Sequence, residues 1–249
     1  MKEMSFTDHL NDLRKMVINT LIIITLGFGV TYSFGVEISE FLLLPLRSAL
    51  LNEQAGQVVY TGLLDKVISE LEIAFWASTI LTSPLWFYQV WRFIGPALHE
   101  HEAKAVRPFL LVGFLLFIAG TLFAYFIAFP LAFKVFLTSG VTNVSAMIEL
   151  KDYLSMSIKV LVFLGFMFQV PNILVILGFM GIVTKYSLRS MRRYIYVVLS
   201  VIAAVFTPPD VVSMMLVWVP LIILFELGIL AVSFIVHPYL AKKHGVLNE

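Results

Sequence analysis

The chain has 249 residues, 60% of them hydrophobic and only 13% charged, with a mean hydropathy of +0.94. A soluble domain carries about a quarter charged residues, so these values exclude an ordinary globular protein and point to an all-α integral membrane protein. A net charge of +1 gives no reason to expect nucleic acid as a partner, and the absence of cysteine excludes disulfides and thiolate metal sites.

The first fifteen residues, MKEMSFTDHLNDLRK, are polar and carry both charge signs. The apolar run that follows is too long for a signal-peptide core and lacks a small-residue cleavage site, so it reads as a retained anchor. Crossing a bilayer takes about 20 apolar residues at about 1.5 Å each. Six segments are candidates: residues 16–34, 67–91 with Pro84 inside, 109–136, 153–180 with Pro171, 194–206, and 213–236 with Pro220. Together they make residues 1–249 one polytopic membrane domain. Between the first two, EISEFLLLPLRSALL (Glu37 to Leu51) has amphipathic spacing and reads as a surface helix interrupted at Pro45, or equally as a loop tucked against the other helices. The fifth segment is short, ended by Thr207-Pro208-Pro209-Asp210. No inverted repeat of the transporter kind is visible, because the two halves hold no matching broken segments.

Lysine and arginine set the orientation. With the N-terminus inside, twelve of the 17 basic residues fall on the inside, leaving Arg47, Lys66, Lys134, Lys151 and Lys159 at or near the outside. Both termini are then cytoplasmic.

Between the second and third spans lies a polar island, WRFIGPALHEHEAKAVRP, from Trp91 to Pro108. Gly95-Pro96 ends the incoming helix, and Ala97 to Ala105 reads as a short helix at the cytoplasmic surface. Glu100 and Lys104 are spaced to pair. Glu102 lies about 200° round from Glu100, which leaves its carboxylate available to a guest.

Polar groups inside the spans are the next candidates. Glu226 lies thirteen residues past Ser213, near the middle of the sixth span. There it is either a neutral carboxyl that helps pack two helices or a functional group. Gln169 precedes Pro171, which leaves the Met167 carbonyl without its usual partner, so the two make a polar notch. Lys159 is expected to snorkel to the outer surface, and Glu70 and Glu72 to be wetted there. His99 and His101 are two apart and point to different sides of a helix, so HEHE is weak as a metal site. No serine or threonine sits beside a plausible base, and no Gly-rich phosphate loop is present. Neither an enzyme nor a bound cofactor is expected.

Several stretches resemble the TatC family of twin-arginine translocase subunits. They are His9-Leu10-Asn11-Asp12-Leu13-Arg14, the Pro45 region, and SPLWFYQVWRFIGPALHEHE (Ser83 to Glu102) with Phe93, Pro96, Leu98 and Glu102 in register. FAYFIAFPLAF (Phe123 to Phe133), FTPPD ending at Asp210, and FELG containing Glu226 continue the likeness. Six spans, both termini inside, and short fifth and sixth helices also look like this family. The resemblance implies a receptor in the bacterial inner membrane for twin-arginine signal peptides of cargo exported already folded. It would work with TatA- and TatB-type single-span subunits and other copies of itself, driven by the proton motive force. By position, Glu102 and Phe93 would centre the peptide site, with Asp12, Arg14, Pro96 and Leu98 around them. Gln169, Glu226, Asp210 and Pro45 would contact partners or lie within the membrane. The chain departs from the family pattern at Gln169, where a glutamate is usual, at Asp12, one methylene shorter than the usual glutamate, and at Met214.

Two other readings are open from the residues alone. A proton-coupled small-solute transporter would use Glu226 as its proton carrier, although no repeat supports it. A structural membrane scaffold would leave the Trp91–Pro108 island as a plain surface connector.

Overall fold

A computed structural model of the chain describes residues 6–53, 57–95, 108–138, 147–207 and 211–238. Within them run α1 (Phe6–Ser33), α2 (Gly35–Glu53), α3 (Asp65–Leu81), α4 (Ser83–Ile94), α5 (Pro108–Phe123), α6 (Phe129–Thr138), α7 (Leu150–Met167), α8 (Val170–Phe179), α9 (Lys185–Phe206) and α10 (Val211–Ala231). π-Helical turns at Ala124–Ala128 and Val232–Val236 join α5 to α6 and extend α10. Two three-residue strands, β1 (Gln57–Val59) and β2 (Met147–Glu149), pair as a small sheet. The protein is an all-α multi-helix membrane protein. Four helical stretches, Leu10–Ser33, Pro108–Phe133, Leu150–Phe179 and Val211–Val236, are long and apolar enough to cross a bilayer.

The chain divides into two compact units. The first comprises Met1–Leu44, Val58–Phe114 and Met147–Val162. Here α1 lies antiparallel to α3 and α4. Thr31 Oγ1 donates to the Ala74 carbonyl at 2.7 Å. One turn earlier, a Cβ on Gly27 would come within 2.5 Å of Thr82 Cγ2, so only glycine allows this approach. Small hydroxyl residues line the seam, with Ser69, Ser78, Thr79, Thr82 and Ser83 all buried. Their hydroxyls fold back onto carbonyls of their own helix, which lets two backbones approach in lipid without an unpaired donor. The expected second span is broken at Thr82. Pro84 cannot donate to the Ile80 carbonyl, and Ser83 Oγ takes that acceptor at 2.6 Å instead.

The second unit comprises Pro45–Gln57, Leu115–Ala146 and Phe163–Glu249. α5 crosses the end of α7 through Gly120 and Gly165. A Cβ on Gly120 would lie 2.7 Å from the Leu164 carbonyl oxygen, and one on Gly165 2.8 Å from the Phe117 ring. Phe117 is fully buried as a result. α8 and α10 run side by side in the same direction, Gly228 against Pro171 and Leu174, and Gly178 against Val232 and Val236. α9 and α10 are antiparallel, since Arg192 reaches Glu226 while Tyr196 reaches back to Trp218.

Three expectations are corrected. α2 is not interrupted at Pro45 but runs through it. Leu42, Leu43 and Leu46 are buried around that proline, so packing holds the turn that has lost one hydrogen bond. The fifth helix is not short. It starts at Lys185, nine residues before Tyr194, because Thr184 Oγ1 accepts the Ser187 N–H and opens the helix there. Only its apolar part is short. The sixth is not short either, for the π-turn carries α10 on to Val236 as a 26-residue stretch.

The glycine crossings generate a prediction. Gly120→Ala should destabilise the detergent-solubilised protein by about 1–3 kcal/mol, since the contact it meets is backbone. Gly29→Ala, with open space around it, should be neutral or slightly stabilising. Thermal unfolding of the two variants checks this.

Candidate functional site

The antiparallel packing of α1 on α3 and α4 brings two sequence-predicted regions to one end of the first unit. Phe93 lies eleven residues beyond the Gly27–Thr82 contact, and Met16 lies eleven residues before it, so residue counting along the antiparallel pair brings the two to about one level. Asp12 and Arg14 sit about one further turn along, roughly 3–6 Å past that level. Asp12 is half-buried and within 3.8 Å of Lys15, a loose pair on a wet surface. Arg14 is exposed, and Phe93 is half-buried in the last turn of α4. That turn closes at Gly95, whose N–H donates to the Trp91 carbonyl, as Gly95-Pro96 led one to expect. Pro96, Leu98, His99, Glu100, His101 and Glu102 lie outside the described residues, as does Asp210.

The intramembrane candidates separate. Glu226 is held by α9: Arg192 Nη2 donates to its Oε2 at 2.5 Å and Tyr196 Oη to its Oε1 at 2.5 Å. Arg192 and Tyr196 are one turn apart, and Trp218 Nε1 donates to the Tyr196 carbonyl at 3.0 Å, fixing that turn against α10. Both oxygens of Glu226 are therefore engaged, one by a guanidinium and one by a hydroxyl, and both partners lie on α9. Sequence reasoning missed Arg192 as its partner. A usable signal was present: Arg192 stands fifteen residues before Thr207 and Glu226 fifteen after Val211, symmetric in sequence about Pro209.

Gln169 is buried at the break between α7 and α8, as the notch predicted. Its N–H bonds the Phe166 carbonyl at 2.9 Å, a tightened turn, and Asn172 Nδ2 donates to its Oε1 at 3.4 Å. Asn172, not singled out from the sequence, is also buried, and its Oδ1 has no partner among the described residues. Pro45 is buried inside α2.

The outer end of the first unit holds two acid–base rungs that local reading did not find. Lys159 and Glu72, expected separately at the outer surface, pair with each other and stay partly exposed. Lys159 Nζ lies 3.2 Å from Glu72 Oε2 and donates to Ser155 Oγ at 2.7 Å, while the Ser155 hydroxyl donates to Glu72. Lys151 Nζ meets Asp65 at 3.1 Å, and Asp65 also accepts the Gly62 N–H and the Thr61 hydroxyl. The acids are seven residues apart on α3 and the bases eight apart on α7, so these helices lie side by side and parallel. Half-buried Glu70 lies 3.9 Å from the exposed Lys66 on its own helix. At Asp65, which precedes the apolar part of α3, the Lys151 hydrogen bond lowers the carboxyl below its usual range. Burial opposes that shift and the Gly62 N–H reinforces it.

Two measurements follow from these pairs. Because the Asp65 carboxyl is depressed in the folded chain, its tie contributes fully above about pH 4 and is lost as pH falls through the lowered value. Asp65→Asn should flatten that acid-side drop in the thermal unfolding midpoint. Glu226→Gln and Arg192→Gln should each lower the midpoint, and the double variant should fall short of their sum by about 0.5–3 kcal/mol. Strict additivity would mean the pair does not couple α9 to α10.

A family model described as Sec-independent protein translocase protein (TatC) matches residues 8–220. Among curated proteins, the chain is 33% identical over 225 residues to the Sec-independent protein translocase protein TatC of Desulforapulum autotrophicum, covering 90% of this chain and 83% of that one. It is 35% identical over 228 residues to TatC of Escherichia coli strain K12, covering 92% and 88%. The fold is similar to a crystal structure of a twin-arginine translocase receptor, TatC, with a TM-score of 0.81 and 34% identity over 90% of this chain and 98% of that one. A second such structure, in DDM, gives 0.82 over 89% and 98%.

Proposed function

The chain belongs to the TatC family, and from that premise we propose how its residues read a substrate. It is a multi-pass membrane protein, a twin-arginine translocase receptor subunit for protein export, and not an enzyme.

In the proposed arrangement residues 1–249 form one polytopic domain with six crossings and both termini in the cytoplasm. The helix directions support it. In the first unit α1 opposes α3, and α3 parallels α7; in the second α8 parallels α10, and α9 opposes α10. Consecutive crossings alternate in this way. The basic residues then favour the Trp91–Pro108 side as cytoplasmic.

The receptor site is proposed at the cytoplasmic end of α1 and α4, where Glu102, Phe93, Asp12, Arg14, Pro96 and Leu98 receive the twin-arginine segment of a signal peptide. One observation carries this reading: α1 and α4 pack antiparallel, so the turn bearing Asp12 and Arg14 ends near the level of Phe93. At this end α1 carries Asp12 beside Arg14 and Lys15, and α4 carries Arg92. A guest with two guanidinium groups needs more acid than that, and the chain continues directly into Glu100 and Glu102. Each guanidinium takes a carboxylate as a two-pronged fork, and the pairing strengthens where water is partly excluded. Phe93 packs on the apolar residue after the arginines or on a guanidinium face. Arg14 sets the register of the acidic groups and repels a misplaced guest.

Beyond that site, Gln169 with Asn172 is the proposed intramembrane contact for the rest of the signal peptide or a partner helix. Asp210 is proposed as a partner contact at the other membrane face. Glu226 and Pro45 act by holding α9 to α10 and by packing α2. TatA- and TatB-type single-span subunits and further copies of the chain complete the assembly, with the proton motive force driving transport of folded cargo.

The test is photo-cross-linking of a labelled twin-arginine signal peptide to the membrane-embedded full chain. Glu102→Gln should weaken binding about 10- to 100-fold, the loss of a charge-assisted pair. Glu102→Asp should do less damage, because the charge remains while the reach shortens. Binding unchanged by Glu102→Gln would refute the assignment.

A further inference from the structure

The opening turns of α9 carry Lys185, Arg189, Arg192 and Arg193, with no acid in the first turn. Lys185, Arg189 and Arg193 follow one another at intervals of four and so share one stripe of the helix. Like charges at that spacing repel, and cations at a helix N-terminus oppose its dipole. Nothing on the helix itself offsets this. Glu226 pairs with Arg192, which leaves the stripe beside it without a carboxylate among the described residues. Its cations rest on tyrosines instead. Lys185 Nζ is 5.0 Å from the Tyr186 ring centre, and the Arg193 guanidinium is 4.7 Å from that of Tyr194 while donating to its hydroxyl at 2.9 Å. Arg189, Arg193, Tyr186 and Tyr194 are all exposed. Further along the same helix, Val197, Val198, Val201 and Val205 are exposed as well, an apolar strip continuing from the basic one.

We propose that this stripe binds the headgroup phosphate of an anionic phospholipid. Arg189 and Arg193 hold the phosphodiester, Lys185 adds charge, and the acyl chains lie along Val197 and Val201. Guanidinium forks match phosphate oxygens, and basic clusters at the end of a membrane helix attract anionic headgroups. Tyrosines flanking the cations mark the interfacial depth at which such a phosphate sits. An acidic protein segment would satisfy the charges equally, but it would leave the adjoining valines unexplained. A phospholipid accounts for both halves of the surface. The lipid site does not depend on where the signal peptide binds.

The test uses the full chain in phosphatidylcholine nanodiscs doped with spin-labelled phosphatidylglycerol or spin-labelled phosphatidylcholine. The fraction of label immobilised by the protein is read by electron paramagnetic resonance. The wild-type chain should prefer phosphatidylglycerol. Arg189→Gln with Arg193→Gln should cut that preference about fivefold or more. Arg189→Lys with Arg193→Lys should keep most of it, which separates loss of charge from loss of fold. A wild-type chain with no preference, or a double-glutamine chain as selective as wild type, overturns the proposal. So does a wild-type chain that ignores phosphatidylglycerol yet binds a soluble glutamate-rich peptide through these two arginines.

Discussion

Inside a bilayer no solvent takes over a hydrogen bond that a helix gives up, so every break and every ionised side chain must bring its own partner. This constraint explains the details of the structure better than apolar packing does, because lipid tails are as apolar as the helices they surround. At Thr82 the helix breaks before Pro84, and Ser83 takes the stranded Ile80 carbonyl. After α7 the chain tightens, with the Gln169 N–H on the Phe166 carbonyl and the Gln169 side chain against Asn172. Glu72 and Lys159 meet across two helices with Ser155 between them, and Glu226 takes Arg192 and Tyr196. The breaks are satisfied within a turn, and the ionisable groups have become interhelical ties.

These ties set direction and register as well as satisfying the groups. Two acids on α3 meeting two bases on α7 at nearly equal spacing allow only a parallel arrangement. The Thr31–Ala74 hydrogen bond and the bare face of Gly27 fix α1 antiparallel to α3 within about a turn. From that register follows the geometry of the proposed site. The motif turn with Asp12 and Arg14 and the end of α4 with Phe93 stand at one end of the unit, and the chain enters its acidic connector from there. A receptor for paired guanidinium groups needs such a convergence of separate segments.

What could be read in advance was whatever leaves a local mark. Apolar runs marked the four stretches long enough to cross, Pro84 and Pro171 marked the breaks, and motif residues from Asp12 to Glu226 carried the family likeness. Pro45 misled, because a proline removes one hydrogen bond but does not end a helix whose neighbours Leu42 and Leu46 are buried. The start of α9 was hidden for a similar reason, since its first turns are basic and hydropathy counts them as loop although Thr184 caps them. Lys159 was assigned to the surface because its partner Glu72 lies 87 positions away, beyond any local pattern. The Arg192–Glu226 pair is the exception, equally distant in sequence from Pro209 and so recoverable from an antiparallel pairing of α9 and α10 alone. Glu102, the acid that matters most to the proposed recognition, was legible only through its motif and its missing helical partner.

The central claim is that the signal peptide is read at the end of α1 and α4 and not at the intramembrane ion pair. The most direct measurement puts a photo-reactive amino acid at Phe93, Asp12 or Glu226 of the full chain and maps cross-links to a labelled twin-arginine peptide. Cross-links from Phe93 and Asp12, lost when the peptide's two arginines become lysines and absent from Glu226, are the predicted result. Cross-links from Glu226 with none from Phe93 would contradict the account.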